Sequence, residues 1–286
     1  MKKRLLALLL AMAVLFAMPA AFAEDDEDWD DEDWGDDEFE EFDDGAESEE
    51  EEVDFRNIAG YPQSSQKINC GDFSYLPNAD GTASLCGYIG TGVDVVIPET
   101  LDDRPVVVIM NNAFAYNPTI ETLVMPTTLK YIDTMAFTQC AKLRKAILNE
   151  GLLTIGDCAF GGDVMLSEIN FPDSVRKIGT AAFAACVSLT EITFGPELES
   201  TGLQAFHSCA GLKKVTFGAG IKAVDNESFF KCVGLEEIDL DPAVETIGAR
   251  AFASCAALKT VRVPAGAETD ESAFADCSAD LQIITE

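Results

Sequence analysis

Residues 178–192 read Ile-Gly-Thr-Ala-Ala-Phe-Ala-Ala-Cys-Val-Ser-Leu-Thr-Glu-Ile, and they form one copy of a unit that recurs through most of the chain. The unit has the form I-G-x-x-A-F-x-x-C-x-x-L-x-x-I. Its phenylalanine is followed by the next one after 23 residues six times and after 22 residues once. The copies are Phe114, Phe137, Phe160, Phe183, Phe206, Phe229, Phe252 and Phe274. A fixed period of this length is typical of a solenoid, in which each unit stacks on its neighbours.

The positions nine residues after each phenylalanine, and eleven residues after each one up to Phe252, are apolar, for example Ile192 and Phe194 after Phe183. Because side chains alternate along a strand, this spacing predicts a strand with one face inward. A proline or glycine, such as Pro172 or Gly195, follows directly and ends the strand. Stacked units then place the strands side by side in a parallel sheet, about 4.8 Å apart.

The positions eight and ten residues after each phenylalanine therefore face outward. One interpretation is a solvated face whose cross-strand charge pairs contribute little. The other is a binding surface, since solenoids bind through such decorated sheets. Val124 and Ile147 form the adjacent apolar pair of this face. The candidate binding residues are Thr122, Val124, Lys145, Ile147, Glu168, Asn170, Glu191, Thr193, Lys214, Thr216, Glu237 and Asp239.

The first 23 residues predict export. A basic start at residues 2–4 precedes an apolar run over 5–18, and Ala21-Phe22-Ala23 fits the small-x-small pattern of signal peptidase. The apolar run is short for a membrane span, so we predict a cleaved signal peptide rather than an anchor. After cleavage no transmembrane segment is expected, and the protein is predicted to be secreted or held at the cell surface.

The formal net charge of −32 excludes nucleic acid and anionic membranes as partners, because both would be repelled. Residues 24–54 hold 22 of the 51 acidic residues and none of the 19 basic ones, which predicts a disordered acidic tail. Residues 55–286 keep 29 acids and 16 bases, a net charge of −13. The tail is either a solubilising spacer or, through Trp29, Trp34, Phe39 and Phe42, a segment that attaches to a partner.

Between tail and repeats, residues 55–67 predict a linker and residues 68–92 an N-terminal capping hairpin. Two short alternating runs, 73–76 and 83–86, flank the turn sequence Asn78-Ala79-Asp80-Gly81. Such a cap would cover the core and the bare strand edge of the first unit. Residues 93–286 then carry the repeats, beginning with a strand within 93–98 and ending in a C-terminal cap.

Nine cysteines in an exported chain suggest disulfides, but six of them occupy one column of the repeat. The column three residues after phenylalanine reads Asn117, Cys140, Asp163, Cys186, Cys209, Cys232, Cys255 and Cys277. We predict a ladder of buried thiols that donate to backbone carbonyls. Cys70 and Cys86 flank the predicted hairpin and are the candidates for a disulfide.

Patterns of catalysis and metal binding are missing. The cysteine spacing of 23 is not that of a zinc site, and His207, the only histidine, is expected to be exposed. The sequence has no H-E-x-x-H, G-x-S-x-G or P-loop pattern. We therefore expect no cofactor, no metal and no enzymatic activity.

Aligned by column, the units over residues 97–284 resemble the BspA-like leucine-rich repeats, whose consensus runs close to L-x-x-I-x-I-P-x-x-V-x-x-I-G-x-x-A-F-x-x-C. This resemblance implies a right-handed leucine-rich-repeat superhelix with a curved parallel sheet on its concave side and short helical or irregular turns on its convex side. It also implies a secreted or surface protein of a bacterium, with a role in adhesion or protein binding. The departures at Asn149-Glu150-Gly151, at Thr201 and in the last unit predict local irregularity.

The sequence thus predicts a non-catalytic, monomeric binding or adhesion protein that recognises an extracellular protein or glycan through its concave sheet. The alternative is a structural protein of the cell envelope whose acidic tail mediates attachment or cation contact.

Overall fold

The structure is a computed structural model that describes residues 66–285. The predicted signal peptide, the acidic tail and most of the predicted linker lie outside the described residues. Within residues 66–285 the chain forms twenty strands and no helix. The strands are β1 (Ile68–Cys70), β2 (Phe73–Pro77), β3 (Ala83–Tyr88), β4 (Asp94–Val96), β5 (Thr100–Leu101), β6 (Arg104–Ile109), β7 (Thr122–Val124), β8 (Tyr131–Ile132), β9 (Lys145–Ile147), β10 (Thr154–Ile155), β11 (Glu168–Ile169), β12 (Lys177–Ile178), β13 (Glu191–Thr193), β14 (Lys214–Thr216), β15 (Ala223–Val224), β16 (Glu237–Asp239), β17 (Thr246–Ile247), β18 (Thr260–Val263), β19 (Glu268–Thr269) and β20 (Gln282–Thr285).

The repeats wind into a solenoid with two β-walls. The first wall, sheet 1, has the strand orders β11-β9-β7-β4 and β13-β14-β16-β18-β20. The second wall, sheet 2, has the orders β1-β2-β3-β6-β8-β10-β12 and β15-β17-β19. Repeat strands pair in parallel at the spacing of the period, so that Thr122 pairs with Lys145 and Thr154 with Lys177. The predicted leucine-rich-repeat solenoid with a parallel sheet is confirmed.

Sheet 2 is a feature that the sequence did not predict. The isoleucine of the Ile-Gly pair lies at the end of a two-residue strand, as Ile155 and Ile178 do. Its side chain is buried, and its backbone pairs with the same position of the next repeat. Strands of two residues are too short to leave an alternating pattern, so the apolar periodicity alone does not reveal them.

A turn centred on each phenylalanine connects the two walls. The residues two before and two after the phenylalanine have a left-handed backbone, with φ between 52° and 60° at fourteen of the fifteen non-glycine positions, Ser272 being the exception. Ala181 and Ala185 flank Phe183 in this way, and Gly162 takes the second position after Phe160. The backbone N–H groups of this turn donate to the next repeat, as Phe183 N does to Ala205 O at 2.8 Å. These irregular turns take the place that helices would occupy.

The phenylalanine rings form a continuous spine through the core. Adjacent rings from Phe114 to Phe274 have centroids 4.9–5.5 Å apart and lie nearly parallel. Tyr88 and Phe73 of the N-terminal cap extend this stack at spacings of 5.5 and 5.4 Å. Stacked, buried rings of this kind contribute both apolar area and ring–ring attraction, so the spine links every repeat to its neighbours.

The N-terminal hairpin is present and has a third strand. The predicted strands fall within β2 and β3, which pair antiparallel, and β1 pairs antiparallel with the outer edge of β2. In the connecting turn, Gly81 has φ 88°, and the Asn78 side chain donates to Thr82 Oγ1 and accepts from Ser84 Oγ. Strand β3 then pairs in parallel with β6, so the hairpin covers the first edge of sheet 2.

The predicted thiol ladder is confirmed. Sulfur atoms of the column donate to the phenylalanine carbonyl of the preceding repeat, as Cys186 does to Phe160 O at 3.3 Å and Cys209 to Phe183 O at 3.2 Å. Burial raises the pKa of the Cys209 thiol to about 12. A thiol with so high a pKa stays protonated and serves as a hydrogen-bond donor rather than a nucleophile.

The Cys70–Cys86 disulfide is not formed. All nine cysteines lie among the described residues and carry free thiols. Cys70 lies in β1 and Cys86 in β3, and β2 runs between these strands. Two strand spacings separate the Cα atoms by roughly 9.5 Å. A disulfide needs them within about 4.4–6.8 Å, so the hairpin holds the two sulfurs apart.

Candidate functional site

The predicted binding residues lie on the outward face of sheet 1, where they form parallel rows. We call the first the charged row: it runs through Asp94, Thr122, Lys145 and Glu168, and again through Glu191, Lys214 and Glu237. The next row begins with Val96, Val124 and Ile147, which we call the apolar row. It has its counterpart in Thr193, Thr216 and Asp239, which we call the polar row. Strand pairing thus brings the candidate residues together as the repeat predicted.

The candidate face is divided into two parts. Strands β11 and β13 are neighbours in the repeat but do not pair, so sheet 1 consists of a four-stranded part and a five-stranded part. Asn170 lies at this division: its Oδ1 accepts from Leu148 N at 2.8 Å, and its Nδ2 donates to Leu148 O at 2.9 Å. The amide side chain thus replaces the backbone pairing that a longer β11 would make. Asn170 was predicted as a binding residue, but both polar groups of its side chain are used within the fold.

The apolar row is the exposed hydrophobic feature of the four-stranded part. Val96 is 66% exposed, Ile147 is 41% exposed, and Val124 between them is half-buried. Their positions are in register, so the three branched side chains form a strip across adjacent strands. A contiguous apolar strip on a polar surface is typical of an interaction site, whereas single exposed apolar residues are ordinary.

Val96 is the member of this row that the sequence analysis missed. The outward columns were counted from each phenylalanine, and β4 precedes the first phenylalanine of the series, Phe114. The parallel register of β4 with β7 places Val96 beside Val124. The sequence contains a pattern that could have identified Val96. Asp94-Val95-Val96 has the same outward–inward–outward order as Thr122-Leu123-Val124, although no phenylalanine of the repeat precedes it.

Cross-strand ion pairs neutralise the lysines of the charged row. Lys145 Nζ lies 2.6 Å from Glu168 Oε2, and Lys214 Nζ lies 3.4 Å from Glu237 Oε2. All four side chains are substantially exposed, so each pair contributes about 1 kcal/mol or less to stability. Lys145 and Lys214 therefore present compensated rather than free positive charge to a ligand.

The polar row gives the five-stranded part a different character. Thr193 and Asp239 are exposed, and Thr216 between them is half-buried. Hydroxyl and carboxylate groups on a flat sheet offer hydrogen bonds and little apolar area. The two parts of the candidate face thus present distinct chemistry to a ligand.

The sequence analysis also considered His207, and its environment differs from the one expected. The ring is half-buried against Phe230, with centroids 5.1 Å apart, and its Nδ1 lies 2.9 Å from Ser208 Oγ. Burial lowers the pKa of His207, so the imidazole is neutral at physiological pH. The Arg250 guanidinium covers the same Phe230 ring at 4.1 Å. His207, Phe230 and Arg250 lie outside the strands and pack neighbouring turns together.

In residues 66–285, no three His, Cys, Asp or Glu side chains are grouped so that they could hold a metal ion. That same part of the chain has no helix long and apolar enough to cross a bilayer.

Asp163 is the unusual buried group of the core. It occupies the cysteine column, is fully buried, and accepts from Cys140 N through Oδ1 at 2.7 Å. Its Oδ2 has no hydrogen-bond partner among the described residues. Burial raises the pKa of this carboxyl well above its usual value, which favours the protonated form. Asp163 lies inside the solenoid and does not contribute to the outward face.

Comparison with known proteins gives a consistent picture. The family of the BspA type leucine rich repeat region matches residues 107–229 and 154–280, in 6 copies. A search of curated proteins finds no match. Among solved structures, a T. pallidum leucine rich repeat protein is 30% identical with a TM-score of 0.63, over 68% of this chain and 91% of that chain. A leucine rich cell surface protein from Faecalibacterium prausnitzii shares the fold at 22% identity and a TM-score of 0.57, over 78% of this chain and 77% of that one.

The family match covers more than half of the chain, and its repeats coincide with the strands, turns and spine described above. The protein therefore belongs to the BspA type leucine-rich repeat family.

Proposed function

We propose that this chain is a non-catalytic binding protein that acts outside the cell or at its surface and recognises a protein or glycan through the outward face of sheet 1. The observation that carries the proposal is the apolar row, an in-register strip of branched side chains left exposed on a wall whose other outward residues are polar as far as β18. The predicted signal peptide and the family membership support an extracellular location.

The packing beneath sheet 1 explains why this face suits recognition. Inward residues such as Leu123 and Ala146 are buried, and the repeat constrains them to be apolar. Outward residues bear no such constraint and differ from strand to strand. A rigid wall with variable outward side chains loses little conformational entropy when a ligand binds. More of the free energy of the new contacts therefore contributes to affinity.

Binding should be tested with the full mature chain on a glycan array and by capture of proteins from the surfaces of candidate host cells. The double variant Val124→Asp/Ile147→Asp places two carboxylates in the apolar row and should lose at least tenfold in apparent affinity. The matched control Val187→Asp/Val233→Asp makes the same change at exposed valines in the turns, outside the strands, and should bind normally. Equal binding by wild type and the apolar-row variant would refute the proposal.

The alternative function, a structural protein of the envelope, has one observation in its favour: the 22 acids and the complete lack of bases in residues 24–54. Under this alternative, deletion of 24–54 should abolish retention at the envelope or contact with cations. The apolar-row variant should then be retained as well as wild type. The deletion and the apolar-row variant together separate the two functions.

A further inference from the structure

Strand β4 leaves one edge of sheet 1 open. It is the outermost strand of the four-stranded part, and β7 is the only described strand that pairs with it. Towards β7, Val93 O accepts from Thr122 N at 3.2 Å, and Ile97 N donates to Val124 O at 3.0 Å. Backbone groups alternate between the two sides of a strand, so the N–H and C=O groups of Asp94 and Val96 point away from β7.

The two walls of the solenoid differ at this end. In sheet 2 the first repeat strand, β6, is covered by the hairpin strand β3, which is followed by β2 and β1. In sheet 1 no described strand covers the outer edge of β4. A bare edge is a template for pairing with another chain, and proteins that do not use one commonly block it with proline or a bulge. β4 contains neither.

The side chains of this edge define what would pair with it. Val96 begins the apolar row, and among residues 66–285 it is the most exposed of the large apolar residues. Asp94 begins the charged row, in which Lys145 pairs with Glu168 and Lys214 with Glu237 across neighbouring strands. Among residues 66–285, Asp94 has no such basic neighbour; the position beside it towards β7 is Thr122. The edge thus presents an uncompensated carboxylate and an apolar side chain, two residues apart.

We propose that β4 is a strand-addition site, which takes an extended polypeptide running parallel to it with Lys or Arg beside Asp94 and a branched apolar residue beside Val96. The free backbone groups of β4 would provide main-chain hydrogen bonds, and the two side chains would provide the selection. The inference rests on the proposed function and deepens it, because it assigns a protein strand rather than a glycan as the ligand of this face.

The chain itself supplies matched probes. The sequence Lys145-Ala146-Ile147 of β9 has the required order, with lysine in the charged row and isoleucine in the apolar row. A synthetic peptide of residues 142–150 with blocked ends is therefore the test ligand. A peptide of residues 234–242 carries Glu237-Ile238-Asp239, which places acids at both positions. Over these three residues it has the same capacity for main-chain pairing and the opposite charge, so it is the control ligand.

Titration calorimetry of the full mature chain at physiological salt should show binding of the 142–150 peptide and at least tenfold weaker binding of the 234–242 peptide. Val96→Pro removes an N–H that points away from β7, so it should abolish peptide binding and leave the melting temperature nearly unchanged. Asp94→Lys should weaken binding of the first peptide and strengthen binding of the second. A scrambled 142–150 peptide controls for charge alone.

Equal binding of the 142–150 peptide to wild type and Val96→Pro, or no binding to either, would overturn the inference. If the wild type is a dimer that Val96→Pro converts to a monomer, the occupant is a second copy of this chain, and the inference of a foreign strand fails. If the peptides fail but Val124→Asp/Ile147→Asp still loses its captured ligand, the strand-addition site is wrong and the proposed function stands. Peptide binding at β4 with no effect of that double variant on capture would reject the proposed function instead.

Discussion

In the four-stranded part of sheet 1 the second outward row is aliphatic from β4 to β9, whereas in the five-stranded part the same row has threonine and aspartate from β13 to β16, followed by Arg262 and Ile284. Both parts rest on the same spine of phenylalanine rings and on the same register of 23 residues. One interior thus supports two different exteriors. This difference shows that the residues that stabilise the fold and the residues that face a ligand occupy separate columns of the repeat. Either set can therefore change without the other.

The interiors of the two parts also differ in one column. The residue eleven after phenylalanine is Met125 after β7 and Leu148 after β9, and it is Phe171, Phe194 and Phe217 after β11, β13 and β14, before Leu240 and Val263 return to aliphatic side chains. Phe171 contacts Phe183 edge-on at 5.2 Å, and Phe194 contacts Phe206 at 5.6 Å. These second aromatic rings reinforce the spine beneath the five-stranded part. We expect that part to be the more stable one.

The largest effect should come from the spine. Phe137→Ala and Phe206→Ala each create a cavity in the core and should lower the free energy of unfolding by about 3–5 kcal/mol. The loss should be larger for Phe206, because its ring also contacts Phe171 and Phe194, whereas the ring contacts of Phe137 are to its two spine neighbours. Urea denaturation followed by circular dichroism measures both. Equal losses would contradict the unequal reinforcement, and an exposed Val233→Ala serves as the control.

The next effect concerns the boundary between the two parts. Asp163→Cys restores the thiol ladder and removes a buried oxygen without a partner, so it should raise the free energy of unfolding by about 1–3 kcal/mol at pH 7. Asp163→Asn keeps an acceptor for Cys140 N and should give part of this gain.

The gain from Asp163→Cys should depend on pH. Burial raises the pKa of Asp163 in the folded protein above the unfolded value of 3.8, so unfolding releases a proton in the interval between the two values. The stability of the wild type should therefore fall, relative to the variant, as pH rises from about the unfolded value through the folded pKa. Denaturation of both proteins from pH 3.5 to pH 8 measures the difference. A gain that is constant over this range would show that Asp163 is not protonated in the fold.

A smaller effect is expected in the phenylalanine turn. The second position after phenylalanine is Gly162 beneath the four-stranded part and Ala185 in the next repeat, and both have positive φ. Ala185→Gly relieves the left-handed strain of alanine and should stabilise the protein by about 0.5–1 kcal/mol after the entropy cost of glycine. Ala184→Gly, at the adjacent position without positive φ, should destabilise it. Thermal melts of the two variants provide the comparison, and shifts of the same sign would be inconsistent with it.

The smallest effect should come from the charged row. Lys145→Ala in the four-stranded part and Lys214→Ala in the five-stranded part each break one exposed ion pair and should lower stability by about 0.2–1 kcal/mol. The loss should be larger at Lys145, where the pair is shorter, and it should shrink at high salt. Urea titrations at low and high ionic strength test both expectations. A loss that salt leaves unchanged would indicate packing rather than charge.

Much of this molecule follows from its repeat. The period of 23 residues predicts the solenoid, the alternation around Ile192 predicts the inward face of sheet 1, and the column of Cys186 predicts the thiol ladder. The N-terminal hairpin follows from Asp80-Gly81, because this pair favours a tight turn. These features are local or strictly periodic, so each can be read without knowing what lies beside it in space.

Other features depend on contacts between repeats. The pairing of β4 with β7 makes Val96 part of the apolar row, and the insertion of β2 between Cys70 and Cys86 prevents their disulfide. The side chain of Asn170 bonds to the backbone of Leu148, although its column suggested an outward binding residue.

The sequence by itself therefore determined the architecture, because a repeated apolar pattern can be buried only by stacking its copies. The tertiary structure decided which outward residues form a continuous strip, which cysteines are near each other and which strand edge is left open. These properties depend on the register between strands and on where pairing stops. The register and the ends of pairing are both set by backbone hydrogen bonds between repeats. These bonds cannot be read from the order of side chains along one repeat.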